Sequence, residues 1–90
     1  MSIKVYIHRN LRHLTHDQAT ADVTGTTVGE CLRDLVKQYP GIEPQLFNKK
    51  GTLLNHVDIY VNLKSSYPEE LVKKVKDGDE LTITLMIAGG

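Results

Sequence analysis

Leu81-Thr82-Ile83-Thr84-Leu85-Met86-Ile87-Ala88-Gly89-Gly90 is the stretch that decides the fold. Leu81, Ile83, Leu85 and Ile87 alternate with Thr82, Thr84 and Met86, the period of two that marks a strand with one buried face. The alternation then gives way to residues with almost no side chain. Glycine has no Cβ, so Gly89 and Gly90 can thread a slot too narrow for any other residue. The Gly90 carboxylate is expected to be free and anionic at neutral pH, an oxygen nucleophile able to attack an activated phosphate such as the α-phosphate of ATP.

Working back from that strand, Asp77-Gly78-Asp79 reads as a tight turn, with Gly supplying positive φ and the aspartates bonding to nearby amides. Glu69 to Val75 reads as a short helical turn after Tyr67-Pro68, burying Leu71, Val72 and Val75. Val57, Ile59 and Val61 alternate with Asp58, Tyr60 and Asn62, a second clear strand. Ile3, Val5 and Ile7 do the same with Lys4, Tyr6 and His8 at the start of the chain. Arg9 to Asp17 breaks the pattern, and Ala19 to Val23 is a weaker returning strand.

Thr27-Val28-Gly29-Glu30 has the form of a capping box, in which the Thr27 hydroxyl accepts from the Glu30 amide and the Glu30 carboxylate reaches back to Thr27. The helix that starts there carries Val28, Leu32, Leu35, Val36 and Tyr39 on one stripe. Pro40-Gly41 ends it. Ile42 to Phe47 is expected to be a single-turn or irregular segment, Asn48 to Gly51 a polar loop, and Leu53-Leu54 a short bridging strand.

One amphipathic helix between two hairpin-like strands and two later strands must bury its stripe on one face of a mixed sheet. The regular first and last strands are expected to lie side by side at its centre. The expected class is α+β, a β-grasp with a four- to five-stranded sheet on one main helix. Residues 1–90 form one domain, and 87–90 a flexible projecting tail.

With these pieces in order, the run Val75-Lys76-Asp77-Gly78-Asp79-Glu80-Leu81-Thr82-Ile83, followed by Ile87-Ala88-Gly89-Gly90, resembles the ending of ubiquitin-like sulfur carriers of the ThiS/MoaD family. The capped helix, the segment Val57 to Asn62 and the Asp-Gly-Asp turn extend the resemblance over most of the chain. What it implies is a carrier and not an enzyme. An E1-like adenylyltransferase would adenylate Gly90 using ATP, the carboxyl would become a thiocarboxylate, and a sulfur-accepting biosynthetic enzyme would take the sulfur while Ala88, Gly89 and Gly90 thread its active site. A metalloprotease that trims or releases the C-terminus is a further implied partner, and no cofactor is bound by the carrier itself. Tyr39-Pro40-Gly41-Ile42 together with Val57 to Asn62 looks most like carriers for cysteine or homocysteine formation. The small subunit of molybdopterin synthase, a ubiquitin-like modifier conjugated through Gly90, and a passive β-grasp binding module remain alternatives. Several relatives carry proline near Leu85, whereas here Thr84-Leu85-Met86-Ile87 extends the strand.

Ninety residues with 11 Lys plus Arg against 11 Asp plus Glu give no net field to recruit nucleic acid or a membrane surface. The single cysteine, Cys31, has no partner for an internal disulfide, and the start of the chain lacks a signal-peptide run, so a cytoplasmic protein is expected. Cys31 follows the cap on the first turn, where backbone dipoles favour a thiolate, yet it borders the apolar stripe and reads as a small buried hydrophobe. His13-x-x-His16, with His8 and His56 elsewhere, lacks the Cys or carboxylate partners of a closed zinc site, so no metal is assigned. Arg9, Arg12 and His13 form a local basic cluster too small for nucleic-acid binding. Strand parity puts Tyr6, Tyr60, Thr84 and Met86 on the helix-free face, and with Ile87 these form the candidate partner surface.

Overall fold

The computed structural model describes residues 2–86. Alternating residues build the strands as expected: β1 (Ile3–Tyr6), β2 (Thr20–Val23), β3 (Val57–Val61) and β5 (Glu80–Leu85) each bury one side, while the short β4 (Lys64–Ser65) is exposed. The sheet order is β2-β1-β5-β3-β4. β1 and β5 pair in parallel at the centre, with Val5 opposite Leu81 and Tyr6 opposite Thr82, and all other pairings are antiparallel. This is the β-grasp arrangement with five strands.

α1 (Val28–Gln38) lays Val28, Cys31, Leu32 and Leu35 onto one face of that sheet, against Val5, Ile59, Leu81 and Ile83, all at most 1% exposed. Val36 and Tyr39, at the edge of the stripe, are only partly buried. The Thr27 hydroxyl caps the helix by accepting from the Glu30 amide at 3.1 Å. The return half of the expected box is displaced by one residue. The Glu30 carboxylate accepts from the amide and the hydroxyl of Thr26, at 2.7 and 2.8 Å, because the chain enters the helix with Thr26 turned toward that oxygen. Gly29 lets the Glu70–Val72 segment approach α1 closely: a Cβ there would stand 3.0 Å from the Leu71 carbonyl oxygen.

The break in strand alternation from Arg9 falls on a 3-10 helix, Arg9–Leu14, that buries Leu11, and Thr15 behind it is fully buried with its hydroxyl on the Arg12 and Gln18 carbonyls. The single 3-10 turn Glu70–Val72 turns only one member of its apolar pair into the core: Leu71 is partly buried and Val72 is 72% exposed. β4 was not expected; it returns from β3 through Asn62 and Leu63, at φ 50° and 74°, a left-handed pair of the kind that fits two-residue hairpins. Asn62 holds this turn by accepting from the Glu80 amide at 2.9 Å and donating to Asp79 at 3.0 Å. Between α1 and β3, Pro40–Ile42 is a 3-10 turn, Glu43–Leu46 forms the one-turn α2, and Leu53 makes an isolated bridge to Phe47 where a bridging strand was expected.

Candidate functional site

The end of β5 is where the sheet presents the chain toward Gly90. The ladder with β3 runs to Val57 opposite Leu85, and the Met86 amide still donates to the His56 carbonyl at 2.7 Å. The strand direction is therefore held through Met86, in keeping with a sequence that lacks proline there. The expected tail residues Ile87, Ala88, Gly89 and Gly90 lie outside the described residues.

The register puts Tyr6, Tyr60 and Thr84 of the candidate partner surface on the helix-free face. Tyr6, Thr82 and Tyr60 stand in one row across β1, β5 and β3, with Thr84 beside Asp58 in the next row. Tyr6 is 36% exposed, Met86 58%, and Tyr60 and Thr84 are intermediate. The Thr84 hydroxyl donates to the Asp58 carbonyl at 2.9 Å, and the Asp58 carboxylate accepts from the Ser65 hydroxyl at 2.7 Å. Those bonds fix the β3–β4 hairpin next to the strand end. Thr82 and Asp58 have the same parity and share this face, and the register sets them directly beside Tyr60 and Thr84.

The other candidates separate clearly. Cys31 is fully buried, and burial first, then the Glu30 and Asp34 carboxylates, pushes its thiol up to about 11. The helix start favours the thiolate, but loss of solvent outweighs it. His13 is exposed, the His16 ring packs edge-on to Tyr39 at 5.5 Å, and His8 Nδ1 accepts from the Asn10 amide. Among the described residues no group of three His, Cys, Asp or Glu side chains could hold a metal ion. Asp77 accepts from the Ser2 amide and Asp79 from the Lys76 amide, so both serve the turn at Gly78, which has φ 90°. The Asn62 side chain, then the Lys76 amide, hold the Asp79 carboxyl below its ordinary range. Among the described residues no helix is long and apolar enough to cross a membrane.

This architecture was compared with known proteins. The sequence profile of the ThiS family matches residues 5–90. The chain belongs to the ThiS family. The sulfur carrier protein CysO of Mycobacterium tuberculosis is 34% identical over 93 residues, covering 100% of each chain. Small archaeal modifier protein 1 of Haloferax volcanii is 33% identical over 70 residues, covering 77% of each. In the crystal structure of the Amycolatopsis orientalis BexX/CysO complex, the matching chain superposes with a TM-score of 0.89 at 32% identity, covering 98% of this chain and 99% of that one. Proteins of the ThiS and CysO type are small carriers, and the β-grasp described above is the fold that this chain shares with them.

Proposed function

We propose that this ThiS-family chain is a sulfur carrier acting through Gly90. The observation that supports it most is full-length similarity to a protein named as a sulfur carrier, at 34% identity. In the proposed cycle, an oxygen of the Gly90 carboxylate attacks the α-phosphate of ATP on an E1-like adenylyltransferase, and pyrophosphate leaves. Hydrosulfide then attacks the acyl carbon, AMP departs with its phosphate oxygen, the S–H proton is lost to solvent, and Gly90 becomes a thiocarboxylate. That sulfur is nucleophilic at neutral pH and can be handed to a biosynthetic enzyme, with the formation of cysteine or homocysteine favoured by the likeness to CysO. The carrier's share of the work is presentation. The antiparallel β3–β5 ladder, continued by the Met86 amide on the His56 carbonyl, holds the strand up to Met86, and a tail without Cβ atoms at Gly89 and Gly90 offers no steric resistance to either nucleophile.

The face that carries Tyr6, Tyr60, Thr84 and Met86, together with Ile87, is proposed as the surface that docks on these partners. Deleting Gly90 tests the reading. The truncated chain is expected to melt as the parent does and to be inert to the adenylyltransferase; retained ATP-dependent activation would overturn the proposal. A second reading, a protein modifier joined to lysine through Gly90, is favoured by the similarity to small archaeal modifier protein 1. It predicts higher-mass conjugates that disappear with the same deletion.

A further inference from the structure

The sheet topology brings one group of cations to the end of the molecule where β5 leads toward Gly90. β1 and β5 run in the same direction with Tyr6 opposite Thr82, so the chain leaving β1 at His8 and Arg9 is level with Thr84 to Met86. β2 is antiparallel to β1, and the Ile7 amide donates to the Ala19 carbonyl at 2.8 Å, so all of residues 8–18 crown this same end. The crown carries two arginines, Arg9 and Arg12, against one acid, Asp17, with three histidines beside them. The acidic turn at Asp77 and Asp79 lies at the other end, tied to Ser2.

The two arginines are also uncompensated. Among the described residues the single ion pair joins Lys73 to Glu69, far from the crown in sequence. Arg9 is exposed, and its side chain makes no hydrogen bond among the described residues. Arg12 donates through Nε to the Ile7 carbonyl at 3.0 Å, which anchors the guanidinium on the buried residue directly after β1, and its Nη groups make no hydrogen bond among the described residues. A guanidinium held by Nε is preorganised for a two-pronged bond to a carboxylate.

Any enzyme that acts on Gly90 must come to this end. Four residues beyond Met86 span at most about 14 Å even when fully extended. We infer that Arg9 and Arg12 form a docking rim for an acidic surface on the enzyme that activates Gly90. The inference rests on the proposed function for the identity of the partner, and on charge and topology for the rim. Such a rim speeds encounter and sets register, and its contribution falls with ionic strength.

The test uses the full chain and its activating enzyme, with two readouts: binding without ATP, and pyrophosphate release with ATP. Arg9→Glu and the double variant Arg9→Glu/Arg12→Glu are compared with Lys76→Glu, which makes the same charge change per site at the opposite end. Arg9→Glu alone keeps the test valid if loss of the Arg12 anchor disturbs the 3-10 turn, which a melting curve would reveal. The expected result is a rise of about tenfold or more in Kd and KM at low salt for the rim variants, with kcat unchanged and the difference fading at about 1 M salt, where the Debye length is near 3 Å. Lys76→Glu should change both by less than about twofold. Rim variants that bind as the parent does, that lose no more than Lys76→Glu, or whose defect survives high salt, would overturn the inference. If the parent binds salt-dependently through the rim yet is never adenylated, the docking stands and the proposed function fails; if it is adenylated with no rim effect, the reverse holds.

Discussion

Cys31 is the only sulfur nucleophile in the chain, so its chemistry decides whether Gly90 must be the sulfur-bearing atom's anchor. The structure makes it inert. Its thiol is pushed up to about 11 from 9.0, so at neutral pH the thiolate population is lower by about 100-fold than for an ordinary cysteine. Its side chain is also fully buried between Val28 and Leu32, so a reagent must wait for the helix to open. Native protein mixed with an aromatic disulfide reagent should therefore release thiolate at least about 100-fold more slowly than free cysteine, and at the free rate once unfolded in denaturant. Replacement by Cys31→Ala should leave sulfur loading intact. The sign with pH follows. A folded-state value above the unfolded one means that the neutral thiol's stabilisation is present below pH 9 and is lost as pH rises from 9 through about 11. Native reactivity within about tenfold of free cysteine, or loss of sulfur loading in a folded Cys31→Ala variant, would refute the reasoning.

Glu30 has its carboxyl held below 4.5 by the Thr26 amide and then by the Thr26 hydroxyl, so its contribution is present above pH 4.5 and lost as pH falls through the depressed value; thermal melts of Glu30→Gln should show a flatter acid limb than the parent. Asn62→Ala removes both bonds to Asp79 and Glu80 and strands an alanine at φ 50°, so it should cost about 1–2 kcal/mol, or about 4–8 °C in Tm per kcal/mol, read by calorimetry. Tyr60→Ala and Met86→Glu, on the exposed face, should weaken binding to the activating enzyme by about tenfold or more while native far-UV circular dichroism is retained. Unchanged binding in both would remove that face from the docking surface.

The sequence made the central architecture readable because its strands alternate strictly and its helix is signed at both ends. Ile3 to Ile7, Val57 to Val61 and Leu81 to Leu85 each place large apolar residues two apart, and one register satisfies all three. What escaped the sequence was set by contacts distant along the chain. The Asn62-Leu63 turn lacks the glycine that usually signals a left-handed pair, and its geometry is held by Asp79 and Glu80, seventeen and eighteen residues away. The 3-10 helix at Arg9–Leu14 has a single buried anchor, Leu11, so it has no periodicity to detect. Val72 belonged to an apolar pair whose turn type decided which member was buried, and composition carries no information on that. For the candidate site, parity alone puts Tyr6, Tyr60 and Thr84 on the helix-free face, whereas the proposed rim of Arg9 and Arg12 becomes meaningful only once β1 and β5 are known to run in parallel.

The central claim is that Gly90 carries the sulfur. Intact mass should be recorded for the protein incubated with its activating enzyme, ATP and a sulfur donor, followed by mapping of the C-terminal peptide. The account predicts a mass increase equal to exchanging one oxygen for sulfur, confined to Gly90 and absent without ATP. An unchanged carboxylate in the presence of a demonstrably active enzyme and donor, or sulfur located on Cys31, would contradict it.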